Sequence, residues 1–314
     1  MIVIRDPLKS ADLPKGGIVT VGNFDGVHLG HQKLLRDVAS RADSLGIPAI
    51  VVTFDPHPLK VLRPEEAPKM IQTLRQREEA IEACGIDALL IVPFTRDFSL
   101  TPAEAFVREF LVKRLAAREV HVGERFAFGR DKQGNLDRLA RVGGESGTVV
   151  VEIRDVAEGA ERVSSTRIRA AVESGDVALA TRLLGRPYVM DGFVAKGDRM
   201  GRKIGFPTIN LKPENELFPV DGVYLTTLYI ASFERTFGCV TNIGRRPTVY
   251  EDYATTIESY VLDFSSDVYG ERIRLAFLDR LREERVFPSM LELTAQIRRD
   301  VEATRRYFER NPVS

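Results

Sequence analysis

The chain is poor in the residues that would make it a disulfide scaffold or a cysteine-based metal protein. Its 314 residues hold two cysteines, Cys84 and Cys239, with no CxxC pair. That excludes a disulfide framework and a Cys-rich zinc site, and both cysteines are expected as small buried hydrophobes. No charge of either sign is in excess: Lys plus Arg and Asp plus Glu both number 45. Nucleic-acid binding driven by overall charge is therefore not expected. No apolar run is long enough to span a bilayer, and the longest, such as ALLIVPF, stops at a few residues. The opening MIVIRDPLKS is broken by charge and proline before any signal-type apolar core could form. A soluble cytoplasmic protein without a membrane partner is expected. Two common nucleotide signatures are also missing. There is no Walker A motif, and no two glycines are separated by a single residue, which removes GxGxxG.

The first half alternates short apolar runs with amphipathic stretches. Strands are expected at Ile18–Gly22, Ala49–Thr53, Ala88–Val92, Val120–Gly123 and Thr148–Ile153. Helices are expected at Gly30–Leu45 and Thr73–Cys84, and from a Thr101 cap with Pro102 at its first position to about Leu115. Such alternation implies βαβ units on a parallel sheet. After a short helical connector near 176–184 the pattern changes. GVYLTTLYIASF, FGCVTNIG, TIESYVLDF and RIRLAFL are β-branched or aromatic runs punctuated by turn residues, as in an antiparallel sheet or small barrel. A closing helix over Ser289–Phe308 offers Leu291, Leu293, Ile297, Val301 and Tyr307 to one face.

TVGNFDGVHLGHQKLL carries the strongest chemical signal. A buried strand runs through a Gly-rich turn into a helix, placing backbone N–H groups and a positive helix end beside whatever the turn holds. Two of the four histidines, His28 and His31, lie in that turn, and Gly30 between them lets a phosphate approach. HxGH after a first strand is a hallmark of nucleotidyltransferases, whose imidazole donors stabilise charge built during attack on an α-phosphate. A zinc site recruiting Asp55 and His57, or two structural histidines, are the other readings of the pair. VSSTRIR adds Ser164, Ser165 and Thr166 at the cap of a helix, a second phosphate cradle, with Arg169 adding charge.

GNFDGVHLGHQKLL, FDPHP, VGERFAFG and SSTRIR occur in the order found in the FAD synthetase module of prokaryotic riboflavin kinase/FAD synthetases, and the chain resembles that family. The resemblance implies that His28 and His31 contact ATP phosphates, with Gly22, Asn23, Asp25 and Gly26 lining the loop. Ser165, Thr166 and Arg169 would close on the triphosphate. Phe54, Phe126 and Phe128 would wall the flavin ring, although plain core packing explains a phenylalanine equally well. Arg125 stands where the family commonly has Asn or Asp.

GDRMGRKIGFPTINL opens the second half with a loop suited to covering nucleotide phosphates, through Gly201, Lys203 and Gly205. Thr208 and Asn210 alternate along an extended segment, so both point to one face. They are hard oxygen ligands of the kind Mg²⁺ accepts beside ATP. PTIN is similar to the family's PTAN, and NIGRRPTV and IESYVLDF to its NIGxxPTF and ExH-LDF segments. The resemblance implies that Thr208 and Asn210 hold Mg-ATP and that Glu258 is the base for the riboflavin 5′-hydroxyl. From its strand alone Glu258 reads as a solvent-facing carboxylate. Tyr260 replaces the family's usual histidine. Arg245 and Arg246 point toward phosphate or are solvated turn residues.

The implied architecture is an α/β Rossmann-like nucleotidyltransferase domain over residues 1–184. A six-stranded antiparallel barrel of the riboflavin kinase type with a C-terminal helix follows over 185–314. The implied activity is phosphorylation of riboflavin to FMN and adenylylation of FMN to FAD, with ATP, riboflavin and FMN as small-molecule partners and Mg²⁺ as cofactor. A chain active only as a kinase, or a flavin-binding regulator or storage protein on a dead enzyme, are the alternatives.

Overall fold

A computed structural model describes residues 1–197, 200–246 and 254–312. Pro247, Thr248 and Val249 of the NIGRRPTV segment, and Asp198 and Arg199 of the Gly/Arg/Lys loop, lie outside them. The chain divides into two compact units, Met1–Lys69 with Leu74–Ser165, and Met70–Thr73 with Thr166–Ser314.

The first unit is built on a parallel sheet of β1 (Ile2–Arg5), β2 (Ile18–Val21), β3 (Ala49–Asp55), β4 (Ala88–Pro93), β5 (Glu119–Gly123) and β6 (Val149–Ile153). The strand order is β1-β4-β3-β2-β5-β6. Strand alternation feeds two cores. Val19, Val21, Ile50, Val52, Leu90, Val120 and Val122 pack with Phe106, Phe110 and Leu111. Ile18, Val51, Leu89 and Ile91 pack with Leu34, Leu35, Val38 and Ala42 of the helix Leu29–Leu45. Both faces are covered, which is why the strands read as continuous apolar runs. Chain order reverses between β2 and β5, so the crevice at the carboxyl ends of these two strands is the switch point where open α/β sheets place ligands. A small hairpin, β7 (Ala157–Glu158) with β8 (Glu161–Arg162), precedes the helix Ser165–Ser174.

Three details differ from the sequence expectation. The helix after Thr101 has Pro102 as its N-cap, with no side-chain cap bond. The Thr101 amide is already committed to the Phe98 carbonyl, ending the preceding turn. From Phe106 to Arg114 the helix widens to π geometry, with the Leu115 amide reaching back to the Phe110 carbonyl. The N-terminal β1, whose charges hid it, pairs in parallel with β4 at the sheet edge.

In the second unit the connector is the helix Val177–Leu184, capped by Asp176. Then come β9 (Tyr188–Ala195), β10 (Thr208–Pro213), β11 (Gly222–Ile230), β12 (Arg235–Arg246), β13 (Ala254–Val261) and β14 (Arg272–Glu283). They close a barrel in the order β10-β13-β12-β11-β14-β9, every pairing antiparallel. The expectation of a six-stranded antiparallel barrel holds. Tyr188, Met190, Tyr224, Leu228, Ile243, Ile257, Leu275 and Phe277 fill it, each at most 1 % exposed. The hydroxyls of Thr226, Thr241 and Ser259 hydrogen-bond in series across three strands, 2.7 and 2.8 Å apart, which satisfies polar groups buried among these apolar ones. Cys84 and Cys239 are both buried, as expected, and burial pushes the Cys239 thiol far up.

The closing helix spans Met290–Arg310 with Ser289 as its cap. Val301, Ile297 and Phe308 pack on Val223, Val240 and Leu262 of the barrel's outer side. A Cβ at Gly238 would overlap the Phe308 ring, so glycine there is what lets the helix approach. Leu291, 80 % exposed, and Tyr307 do not join the buried face. The helix is instead pinned by Asp300, which accepts from Arg282 at 2.9 and 3.0 Å and from Gln296 at 2.8 Å.

Candidate active sites

The first site grows from the carboxyl end of β2. The turn from Gly22 to His28 is held against backbone preference: Phe24 (φ 49°), Gly26 (φ 87°) and Val27 (φ 37°) all lie in the left-handed region. For a β-branched residue that is an outlier costing about 1–3 kcal/mol, which surrounding structure must over-determine. Phe24 and Val27 are buried at 1 % and 0 % exposure, so packing supplies that constraint.

His28 is the N-cap of the helix Leu29–Leu45, its Nδ1 accepting from the His31 amide at 3.3 Å. An accepting Nδ1 puts the neutral imidazole's proton on Nε2, which is thereby a donor. The His31 ring stacks on it at 3.7 Å and 15°. Burial, and secondarily the His28 neighbour, hold His31 well below the ordinary histidine range, so it is neutral. A Cβ at Gly30 would stand 3.2 Å from the His28 ring, so a larger residue would crowd the cap. The zinc reading finds no support: among the described residues no group of three or more His, Cys, Asp or Glu side chains could hold a metal ion.

Around the turn, Asn23 turns its side chain to His57 Nε2 at 3.2 Å, and Asp25 is buried. Ser165 reaches the turn, its hydroxyl donating to the Asp25 carbonyl at 2.8 Å. The helix begins at Ser165 itself, so Ser165 and Thr166 lie in its first turn. Thr166, exposed, and Arg169, half-buried, fall in the second unit. The carboxyl ends of β3 and β5 carry phenylalanines. Phe54 and Phe126 are half-buried, whereas Phe128 is buried and belongs to the core. Phe126 stacks on Phe128 at 5.0 Å. Phe94 and Phe98, which lie outside every motif, complete a wall with Phe54 at 5.8 and 6.0 Å. Arg125 is exposed, 3.6 Å from Asp155.

The second site lies on the outer face of the barrel. Thr241 and Ser259 are interior, so their strand neighbours Asn242 and Glu258 face out. Asn210 of β10 and Asn242 of β12 flank Glu258 in register. The Thr208 hydroxyl donates to Glu258 Oε2 at 3.2 Å. Glu258 is thus half-buried among polar partners, where its strand alone suggested a solvent-facing carboxylate. Phe206 meets Tyr260 edge-on at 5.3 Å. Gly197 lies against the Asn210 amide so closely that any Cβ would overlap it, and Gly201 does the same against the Phe206 carbonyl. Gly205, at φ 87°, makes the turn that leads into β10. Lys203 is exposed on the short helix Met200–Lys203. Glu284 was missed by sequence reasoning; it accepts from the Asn242 amide at 3.4 Å. Arg245 is exposed and faces Asp221 at 3.3 Å. No helix among the described residues is long and apolar enough to cross a membrane.

The FAD synthetase family model matches residues 10–167 and the riboflavin kinase family model residues 184–308. The bifunctional riboflavin kinase/FMN adenylyltransferase of Haemophilus influenzae is 36 % identical over 308 residues, covering 98 % of this chain and 99 % of the relative. That of Escherichia coli strain K12 is 37 % identical over 309 residues, covering 98 % of each. A crystal structure described as a macrolide-efflux protein from Streptococcus pneumoniae superposes with a TM-score of 0.89 at 30 % identity, covering 97 % of this chain and 99 % of that one. With both family models in sequence and relatives matched from end to end, the chain belongs to the bifunctional riboflavin kinase/FMN adenylyltransferase family.

Proposed function

We propose that the chain makes FMN and then FAD, using one ATP in each step. Residues 185–314 carry the kinase and residues 1–184 the adenylyltransferase, a division supported by the bounds of the two family matches. In the kinase step the 5′-hydroxyl oxygen of riboflavin attacks the γ-phosphorus of ATP, and ADP leaves. Glu258 accepts the hydroxyl proton; its carboxylate is already held by Thr208 and flanked by Asn210 and Asn242. Gly201, Lys203 and Gly205 cover the nucleotide phosphates. Thr208 and Asn210 fit a hard cation that keeps most of its shell as water and phosphate oxygen, because their donors are a hydroxyl and an amide oxygen on one face. Bound there, Mg²⁺ would neutralise charge on the phosphates.

In the second step an FMN phosphate oxygen attacks the α-phosphorus of a second ATP, and pyrophosphate leaves. His28 donates from Nε2 to the phosphate oxygens, and His31 keeps the adjoining position neutral. Gly22, Asn23, Asp25 and Gly26 shape the turn, and Ser165, Thr166 and Arg169 close on the triphosphate. Phe54 and Phe126 offer their open ring faces to the flavin, with Phe128 buttressing Phe126 from the core. Catalysis in both steps is positioning plus electrostatics. The protein acts in the cytoplasm on small molecules and not on nucleic acid.

The observation that carries this reading is the match of both family models, in succession, to one chain whose relatives are bifunctional from end to end. The test is incubation with riboflavin, ATP and Mg²⁺, with flavins resolved by chromatography over time. FMN followed by FAD is expected. Tight flavin binding with no new flavin would overturn the reading and favour a binding protein.

A further inference from the structure

Arg77 is a charged residue on the helix Leu74–Glu82, yet it is only 3 % exposed. A guanidinium removed from water must be matched by acceptors in fixed places. Its Nη1 donates to the Asn23 carbonyl at 3.0 Å, and its Nη2 to the Phe54 carbonyl at 3.3 Å. Nη2 also lies 3.5 Å from Asp55 Oδ1. Burial lowers the affinity of Arg77 for its proton, and the charges of Asp55, Asp25 and Glu78 oppose that. The Asn23 carbonyl has a second donor, the hydroxyl of fully buried Thr53, at 3.2 Å.

These acceptors sit at two places that matter. Asn23 directly precedes Phe24, the first left-handed residue of the turn that leads to His28 and His31. Phe54 and Asp55 end β3 and lead to His57, whose ring meets the Asn23 side chain. We propose that Arg77 is a positioning residue for adenylyl transfer: its planar fork ties the histidine-bearing turn to the end of β3 and so sets the spacing between the phosphate-binding turn and the flavin-facing Phe54. The assignment rests on reading the first site as the adenylyl-transfer centre. An arginine is required because one fork spans two carbonyls at fixed angles, whereas a lysine ammonium is a single point charge. The strained turn needs outside support, and the grip of Arg77 and Thr53 on Asn23 supplies it at the residue where the strain begins.

The test compares Arg77→Lys, Arg77→Met and Thr53→Val in the full chain, with His28→Ala alongside. FAD formation from FMN and ATP is followed at steady state, with riboflavin phosphorylation and thermal unfolding measured on the same samples. Misplacing a reacting group by about 1 Å costs on the order of 100-fold. Arg77→Lys should therefore lose roughly 30-fold or more in kcat for FAD formation with little change in KM for ATP. Riboflavin phosphorylation should be unchanged, and Thr53→Val should show a smaller loss of the same kind. If Arg77→Met does not fold, the other two variants carry the test. Wild-type kcat in Arg77→Lys and Thr53→Val beside an inactive His28→Ala would overturn the proposal. So would a loss that only follows the unfolded fraction. Wild-type FAD formation by His28→Ala would remove the site reading itself, a result that does not involve Arg77.

Discussion

Replacing Glu258 by glutamine separates its proposed chemistry from its place in the structure. The carboxylate accepts the Thr208 hydroxyl at 3.2 Å and lies between Asn210 and Asn242. Glutamine has the same length, and its amide oxygen can keep the Thr208 bond. What disappears is the capacity to take a proton. The structural part of the change is then a weakened hydrogen bond, about 1 kcal/mol or less. The chemical part is the loss of general-base catalysis, typically about 10²–10⁴-fold, which is roughly 2.7–5.4 kcal/mol of barrier. The second term dominates, so kcat for FMN formation should fall by about 100-fold or more while KM for riboflavin and ATP moves only a few-fold. The assay is chromatography of flavins at saturating riboflavin and ATP, with a parallel reaction starting from FMN. FAD formation from supplied FMN should proceed at the wild-type rate. Turnover of riboflavin by Glu258→Gln within about threefold of wild type would refute the reasoning, because no group acting as base is dispensed with so cheaply.

Three further outcomes follow from the same geometry. His28→Ala should stop the series at FMN, with a loss of about 10²–10³ in FAD formation for one removed donor, measured with FMN and ATP supplied. His31 is neutral, its affinity for protons depressed chiefly by loss of water around the ring, so the unfolded chain binds that proton more readily. Stability of the first unit should then be full above about pH 6.5 and fall as pH drops below it. His31→Gln should flatten that slope in urea titrations between pH 7 and 5, and an unchanged slope would count against the assignment. Asp300→Ala leaves Arg282 without its carboxylate beneath the closing helix and should cost about 3 kcal/mol of the second unit's stability, read from the urea midpoint.

Much of this protein is local in origin, and that part was legible in the sequence. The apolar runs of β2 to β5 announce strands buried on both faces, because period-two alternation disappears when both faces are covered. The HxGH turn is recognisable because its histidines, its glycines and the helix start are adjacent in the chain. Thr208 and Asn210 share a face by strand geometry alone. What the sequence could not supply is pairing over long separations. Ile2–Arg5 carried no strand signal of its own and became a sheet edge because β4 offered a parallel partner. The face of the closing helix was right at Val301 and wrong at Leu291 and Tyr307, since periodicity gives a stripe but not the length of it that meets the barrel. Phe126 and Phe128 look alike in the chain, and only packing made one a core residue and the other partly open. Glu258 gained its partners from β10 and β12, dozens and sixteen residues away along the chain respectively, through barrel register. Arg77 is the extreme case: a helical arginine is ordinarily solvated, and it is buried here only because the ends of β2 and β3 bring two carbonyls within reach of one guanidinium.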